Sequence, residues 1–126
     1  MIIVTIWWYI NNTDDDERAF MEWWRSHAKI HDRTGLLGEF LSRPNRAEDS
    51  PFRTVDLRPS DSRYRPFTNV GLWRDEDTFY QQVGQYFSDN NAHEKFEFQR
   101  RDRIVMKTEQ FRMGSWSPPA EQGVVD

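Results

Sequence analysis

Three polar side chains stand at positions where they could take part in proton transfer. His27 and His31 are four residues apart, so on a helix both imidazoles lie on one face, and imidazole is the side chain that most often serves as a general acid or base. Asn69 lies within the run Phe67–Trp73, and asparagine is depleted in strands. We therefore take His27, Asn69 and His31 as candidate catalytic residues. The structural alternatives are an exposed or interface position for His27, and for His31 a cation stabilising a helix C-terminus.

The same histidines could share a metal ion, because a spacing of four lets two imidazoles reach one ion from one helical turn. A third ligand would have to be His93 or a carboxylate, and no motif supplies one. Cysteine is absent, which removes thiolate chemistry, disulfides and iron–sulfur sites. The sequence predicts no metal site.

Aromatic side chains make up 15% of the 126 residues, and several repeat at the spacing of the same helix faces. Helical spacing by itself makes such residues core, and they can wall a pocket in addition. Gly71, between Asn69 and Trp73 on one strand face, leaves room for a flat ligand. The predicted substrate-binding residues are Phe20, Trp24, Trp73, Phe79 and Val83.

The pattern of apolar residues predicts a strand over 2–10 and then a helix. That helix is capped by Thr13 or Asp14, runs through the histidines and stops at Gly35. A second strand over 36–42 follows. Residues 43–66 read as a long connection.

The second half repeats this order. A strand over 67–73 precedes a helix that is capped by Asp75 and carries Phe79, Val83, Tyr86 and Phe87. Apolar and polar residues alternate over 96–98, and a last strand is predicted over 103–113. Residues 1–116 are thus predicted to form a single domain, and residues 117–126 a flexible tail.

The order strand–helix–strand, strand–helix–strand predicts an α+β, ferredoxin-like βαββαβ fold with an antiparallel sheet and both helices on one face. The first strand is apolar on both faces, so the other side of the sheet also needs cover. A homodimer formed through that face is the simplest solution. In the doublet Trp7–Trp8, one ring then faces the helices and the other the dimer.

The run from Asn69 to Phe79, in which a strand ends in Trp73 and a polar turn leads to Phe79, resembles the antibiotic biosynthesis monooxygenase-like family. Phe20 and Trp24 on the first helix and Gly35 before the second strand are similar to it too, and the likeness spans about residues 2–113. The resemblance implies a dimeric α+β barrel with a pocket between helices and sheet. It also implies oxidation of a flat aromatic molecule by oxygen, with no cofactor.

Two alternatives remain at this stage. Haem-degrading relatives would, by the same resemblance, use an Asn on the first strand, a Trp on the second helix and a His near its end. Here the first strand has no Asn before Asn11, the helix position holds Gln81 or Gln82, and only His93 is near a matching place. The other alternative is a non-catalytic dimer that binds a ligand or is purely structural, with every aromatic ring in core or interface.

Charge and hydropathy argue against two classes of partner, nucleic acid and membrane. A net charge of −4 and a pI near 5.4 argue against nucleic acid. The apolar opening, Ile2–Ile10, is too short for a membrane span and has no basic residues before it. We therefore expect no membrane association and a cytoplasmic location.

Overall fold

The β-branched and aromatic run at the start of the chain forms the central strand of a four-stranded sheet. The structure is a computed structural model and describes residues 1–26, 28, 30–44, 63–84 and 93–115. The elements are β1 (Ile2–Asn11), α1 (Asp14–Ser26), β2 (Leu36–Ser42), β3 (Tyr64–Trp73), α2 (Glu76–Val83) and β4 (Glu97–Lys107). Their order is the predicted one.

The strands are arranged β2-β3-β1-β4, and each neighbouring pair is antiparallel. One cross-strand row fixes the register at the centre: Leu41 pairs with Asn69, Asn69 with Ile6, and Ile6 with Arg103. Because side chains alternate between the two faces of a sheet, these four point to the same side. The predicted ferredoxin-like α+β fold is confirmed.

Both helices cover this side of the sheet, which we call the inner face. Phe20 of α1 contacts Trp8 and Phe67, with ring centroids 4.9 and 5.3 Å apart, and Phe79 of α2 contacts Trp73 at 5.6 Å. Ten apolar residues are buried in this core: Ile2, Val4, Ile6, Trp8, Ile10, Phe20, Phe67, Trp73, Phe79 and Phe96. Most of the buried volume therefore comes from a few large rings.

Helix α1 ends earlier than predicted. Thr13 caps its start, since the Thr13 hydroxyl accepts a 3.0 Å bond from the Asp16 N–H. At the other end, Ser26 Oγ donates to the Glu22 carbonyl and the Ala28 N–H donates to the Trp23 carbonyl, a five-residue span typical of helix C-termini. The prediction that the helix continues to His31 was wrong, because the Ala28 N–H bonds to the carbonyl five residues back instead of to the Trp24 carbonyl that a continued α-helix requires.

Helix α2 begins as predicted. The Asp75 carboxylate accepts a 2.8 Å bond from the Thr78 N–H, which satisfies one free donor of the first turn. Gly35, predicted as a helix stop, instead allows a close approach: a Cβ at this position would lie 2.5 Å from the Thr78 side chain. The loop before β2 can therefore pack against the start of α2.

Two strand boundaries differ from prediction. β3 begins at Tyr64 and includes Pro66, which was placed in the connection. Pairing with β2 ends at Thr68, so this end of β3 has β1 as its paired neighbour and tolerates a proline. β4 covers 97–107 rather than 103–113, because its charged start is anchored by Glu97, which is only 2% exposed.

Some predictions concern residues outside the described part of the chain. These are most of the 43–66 connection, the positions of Tyr86 and Phe87, and the 117–126 tail. Within the described residues, no helix combines the length and apolar character needed to cross a membrane.

The sheet surface opposite the helices, which we call the outer face, is apolar at its centre. Trp8 is buried on the inner face and Trp7 is half-buried on the outer one, as predicted for the doublet. Three apolar outer-face side chains are exposed: Phe40 (37%), Ile104 (46%) and Met106 (42%). Half-buried Ile3, Trp7, Val70 and Leu72 lie beside them.

Candidate functional site

A small cavity lies between α1 and the inner face of the sheet. Its volume is about 40 Å³, room for two or three water molecules. Its walls combine three indole rings and small apolar side chains with an amide, a carboxylate and two guanidinium groups. The lining residues are Ile6, Trp8, Trp23, Trp24, Ala28, Ile30, Glu39, Asn69, Val83, Arg101 and Arg103.

A chain of two hydrogen bonds crosses one end of this cavity. Trp24 Nε1 donates to Asn69 Oδ1 at 3.1 Å, and Asn69 Nδ2 donates to Glu39 Oε1 at 3.0 Å. Asn69 is only 3% exposed, so both halves of its amide are satisfied inside the protein. The chain fixes the orientation of the Asn69 amide and holds the Glu39 carboxylate against the cavity.

Strand alternation explains why these side chains meet. Asn69 pairs with Leu41 on β2, and Glu39, two residues before Leu41, therefore also lies on the inner face. Glu39 pairs with Gly71, which has no side chain to compete for the space beside it. Trp24 reaches the amide from the last turns of α1.

Burial raises the pKa of the Glu39 carboxyl above its ordinary value of 4.5. The hydrogen bond from Asn69 and the positive charge of Arg33 oppose this effect in part. A carboxylate that is desolvated but still hydrogen-bonded is more basic than one in water, which is what a general base requires.

The opposite end of the cavity carries positive charge. Arg101 and Arg103 stand two residues apart on β4 and both point to the inner face. Arg101 Nη1 lies 3.0 Å from Glu97 Oε1, and its side chain is only 9% exposed. The Arg101 guanidinium also lies over the ring of Trp8, 4.5 Å from the centroid, and near Trp23 at 5.7 Å.

Burial, together with the smaller effect of the positive charges of Arg101 and Arg100, lowers the pKa of Arg103 to about 10. Burial likewise lowers the pKa of Arg101, against the opposing charge of Glu97. Both groups stay protonated at neutral pH. This end of the cavity is therefore electropositive, while the other end carries an acid.

Three of the predicted site residues line the cavity: Asn69, Trp24 and Val83. Phe20, Trp73 and Phe79 are each at most 1% exposed and lie in the closed core beside it. The space predicted above Gly71 is filled, because a Cβ there would lie 2.9 Å from Trp73 Nε1.

His31 is placed differently from the prediction. His31 is exposed in the loop after α1 and does not line the cavity, and His27 lies outside the described residues. Within the described ranges, no three His, Asp or Glu side chains are grouped as metal ligands.

The acid and the two arginines were missed by the sequence analysis. A signal was present, since Glu39 has the same strand parity as Leu41, and Arg101 and Arg103 have the same parity as Val105. Charged residues on the buried side of a strand are unusual and mark a site or an ion pair.

Together these groups place a proton acceptor, Glu39, and positive charge at the β4 end beside a wall of indole rings. Indole and guanidinium planes favour stacking with aromatic rings. The arrangement suits a reaction that begins by ionising a hydroxyl group on an aromatic ring.

Comparison with known proteins agrees with the fold. No protein-family model matches the chain, and no curated protein matches it in sequence. Among solved structures, an arginine-to-serine variant of MhuD with two manganese protoporphyrin IX molecules per active site is similar at 14% identity and a TM-score of 0.50, over 89% of this chain and 99% of the other.

An asparagine-to-alanine variant of SnoaB, a cofactor-independent oxygenase from Streptomyces nogalater, is similar at 12% identity and a TM-score of 0.50, over 87% of this chain and 95% of the other. At such identities the likeness concerns the fold. The solved structures thus support the predicted fold.

Proposed function

We propose that this protein binds a flat hydroxyarene between α1 and the sheet and oxidises it with molecular oxygen, without a resident cofactor. The observation that carries the proposal is the hydrogen-bonded chain from Trp24 through Asn69 to Glu39, set in a cavity walled by indole rings. Similarity to a cofactor-independent oxygenase supports the class of reaction.

In this proposal Glu39 accepts the proton of the aromatic hydroxyl, and the resulting phenolate is electron-rich enough to reduce oxygen directly. Asn69 holds Glu39 in place, and Trp24 holds Asn69. For anthrol, one oxygen atom becomes the new carbonyl of anthraquinone. The other leaves as water with the two hydrogens that the substrate loses, so no external reductant is needed.

The described cavity of about 40 Å³ is smaller than a fused-ring ligand, so binding requires it to widen. Ala28 and Ile30 form one part of its wall and belong to neither a helix nor a strand. Movement of this stretch costs less than movement of the paired strands opposite. We infer that the ligand enters here.

We also propose that two chains associate through their outer faces. Phe40, Ile104 and Met106 are large apolar side chains exposed together on a regular sheet surface. A second copy buries the same residues on both chains about a two-fold axis. The active form would then be a homodimer with one cavity in each subunit.

Haem is the second candidate ligand, since MhuD is similar in fold and was solved with a manganese porphyrin. The described residues that line the cavity fit it poorly, because none of these described residues is a histidine, tyrosine or cysteine that could ligate iron. His93 and His31 are exposed and lie outside the lining. We derive no haem chemistry for this chain.

Oxygen consumption tests the proposal. Purified protein, free of added metal and flavin, is given a panel of hydroxynaphthalenes and hydroxyanthracenes in an oxygen electrode cell. We expect consumption with at least one of them and one labelled oxygen atom in the product from ¹⁸O₂. A haem titration runs in parallel. If no phenol is turned over and the haem titration gives a saturable shift of the Soret band, the proposal is wrong and haem binding takes its place.

A further inference from the structure

The two ends of the cavity have opposite chemistry, and this limits which hydroxyarenes fit. Glu39 lies on β2 and Arg103 on β4, at opposite edges of the sheet. Three strand spacings separate these edges, or about 14 Å between backbones at the usual interstrand distance. Both side chains reach inward and line the same cavity, so one fused-ring molecule can contact both.

We propose that the β4 end binds a carboxylate carried by the substrate, so that the substrate class is an aromatic hydroxy acid. This inference rests on the proposed function, because it assumes that the hydroxyl group lies at Glu39. The remaining observations concern the groups that would receive the carboxylate.

Two guanidinium groups stand side by side at this end. Arg101 has Glu97 as an ion-pair partner at 3.0 Å, and both side chains of that pair are at least nine-tenths buried. Arg103 lies two residues further along the same face and is half-buried. A planar guanidinium can bind a carboxylate through two parallel hydrogen bonds, a geometry that a lysine cannot offer.

The charges near Arg103 favour an anion. The pKa of Arg103 is lowered first by burial and then by the positive charges of Arg101 and Arg100. A carboxylate bound between the guanidinium groups would reverse this effect, because opposite charge stabilises the protonated form.

A neutral donor lies beside the two cations. Trp8 Nε1 is buried and has no hydrogen-bond acceptor within the part of the chain that the structure describes. The Trp8 ring lies under the Arg101 guanidinium, 4.5 Å from its centroid. Buried donors are normally satisfied, so a carboxylate oxygen arriving here would meet an N–H with an unfilled bond.

The test compares three ligands that differ at one end. They are a hydroxynaphthoate whose hydroxyl and carboxylate stand at opposite ends of the rings, its methyl ester, and naphthol. Binding is measured anaerobically at pH 7.5 by quenching of tryptophan fluorescence, since Trp8, Trp23 and Trp24 line the cavity. We expect the acid to bind at least tenfold more tightly than the ester.

The variant Arg103→Met removes the charge and the guanidinium group and keeps an unbranched apolar stem. We expect it to abolish the preference for the acid while the ester and naphthol change less than threefold. Arg103→Lys should retain part of the preference, and exposed Arg112→Met is the matched control. Should Arg103→Met fail to fold, the ratio of acid to ester affinity in wild type and in Arg103→Lys still tests the inference.

Equal binding of the acid and the ester by wild type would overturn the inference. A preference for the acid that survives in Arg103→Met would overturn it too. Either result would leave the proposed function standing. Failure of all three ligands to bind would contradict the proposed function itself, and this inference with it.

Discussion

The side-chain amide of Asn69 donates a 3.0 Å hydrogen bond from Nδ2 to Oε1 of Glu39, joining β3 to β2 beneath the first helix. The same amide accepts a bond from Trp24 Nε1. A strand asparagine is thereby explained, since a longer or shorter side chain would not bridge the indole and the carboxylate. The proton affinity of Glu39 and the position of Trp24 are linked through one residue.

Replacement of Glu39 by glutamine should change how stability depends on pH. The folded pKa of Glu39 lies above its unfolded value of 4.5, so the folded chain holds this proton more tightly. The contribution of Glu39 to stability is therefore greatest below pH 4.5 and falls as the pH rises towards the folded pKa, by at most about 1.4 kcal/mol per pH unit. Glutamine can still accept from Asn69 and does not ionise, so Glu39→Gln should lack this fall.

Urea denaturation between pH 4 and 8 measures the effect. The free energy of unfolding of Glu39→Gln minus that of wild type should grow with pH above 4.5. Glu109→Gln, at an exposed site, should track wild type. A constant difference across the range would show that Glu39 titrates normally.

Loss of the Asn69 amide should destabilise the fold. Asn69→Ala removes one acceptor and one donor, leaving the Trp24 N–H and a Glu39 oxygen without their partner. A buried polar group that loses its partner costs about 1–3 kcal/mol, so we expect a loss in that range. Trp24→Phe breaks one bond and keeps an aromatic ring, so its unfolding free energy should fall by less. Equal losses for the two would argue against the chain of bonds.

The ion pair between Arg101 and Glu97 should be strongly coupled. Their side chains are 9% and 0% exposed, so Arg101→Met leaves a buried carboxylate without its counter-ion. Breaking one side of such a pair typically costs about 3–5 kcal/mol. The double variant Arg101→Met with Glu97→Gln should recover much of this loss. A double-mutant cycle in urea gives the coupling energy, and additive effects would show that the pair contributes little.

The outer face should decide the oligomeric state. Ile104 is 46% exposed there, and an aspartate at this position would place a charge within the proposed dimer contact. Light scattering after size exclusion should give a dimer mass for wild type and a monomer mass for Ile104→Asp. Met113→Asp, at an exposed site beyond β4, is the control. A wild-type monomer would refute the proposed dimer.

The fold was predictable because its signals are local. A β-branched and aromatic run marks β1, and Asp75 with Thr78 marks the start of α2. The end of α1 was not predictable from spacing, because it depends on bonds from Ser26 and Ala28 to carbonyls that a periodic pattern does not reveal.

The site was predictable only in part. Asn69 stood out as a polar residue in a strand, and its amide does line the cavity. Glu39, Arg101 and Arg103 come from strands at opposite edges of the sheet, and only the strand order shows that they share one space. His31 was suggested by helical spacing from Phe20 and Trp24, but helix α1 ends at Ser26.

The rate of oxygen consumption with anthrol, compared between wild type and Glu39→Gln, tests the central claim most directly. General-base catalysis typically contributes between about 10² and 10⁴ in rate, so we predict at least a hundredfold loss of kcat/KM in Glu39→Gln and wild-type behaviour in Glu109→Gln. A Glu39→Gln rate within threefold of wild type would contradict the claim that Glu39 accepts the proton of the substrate.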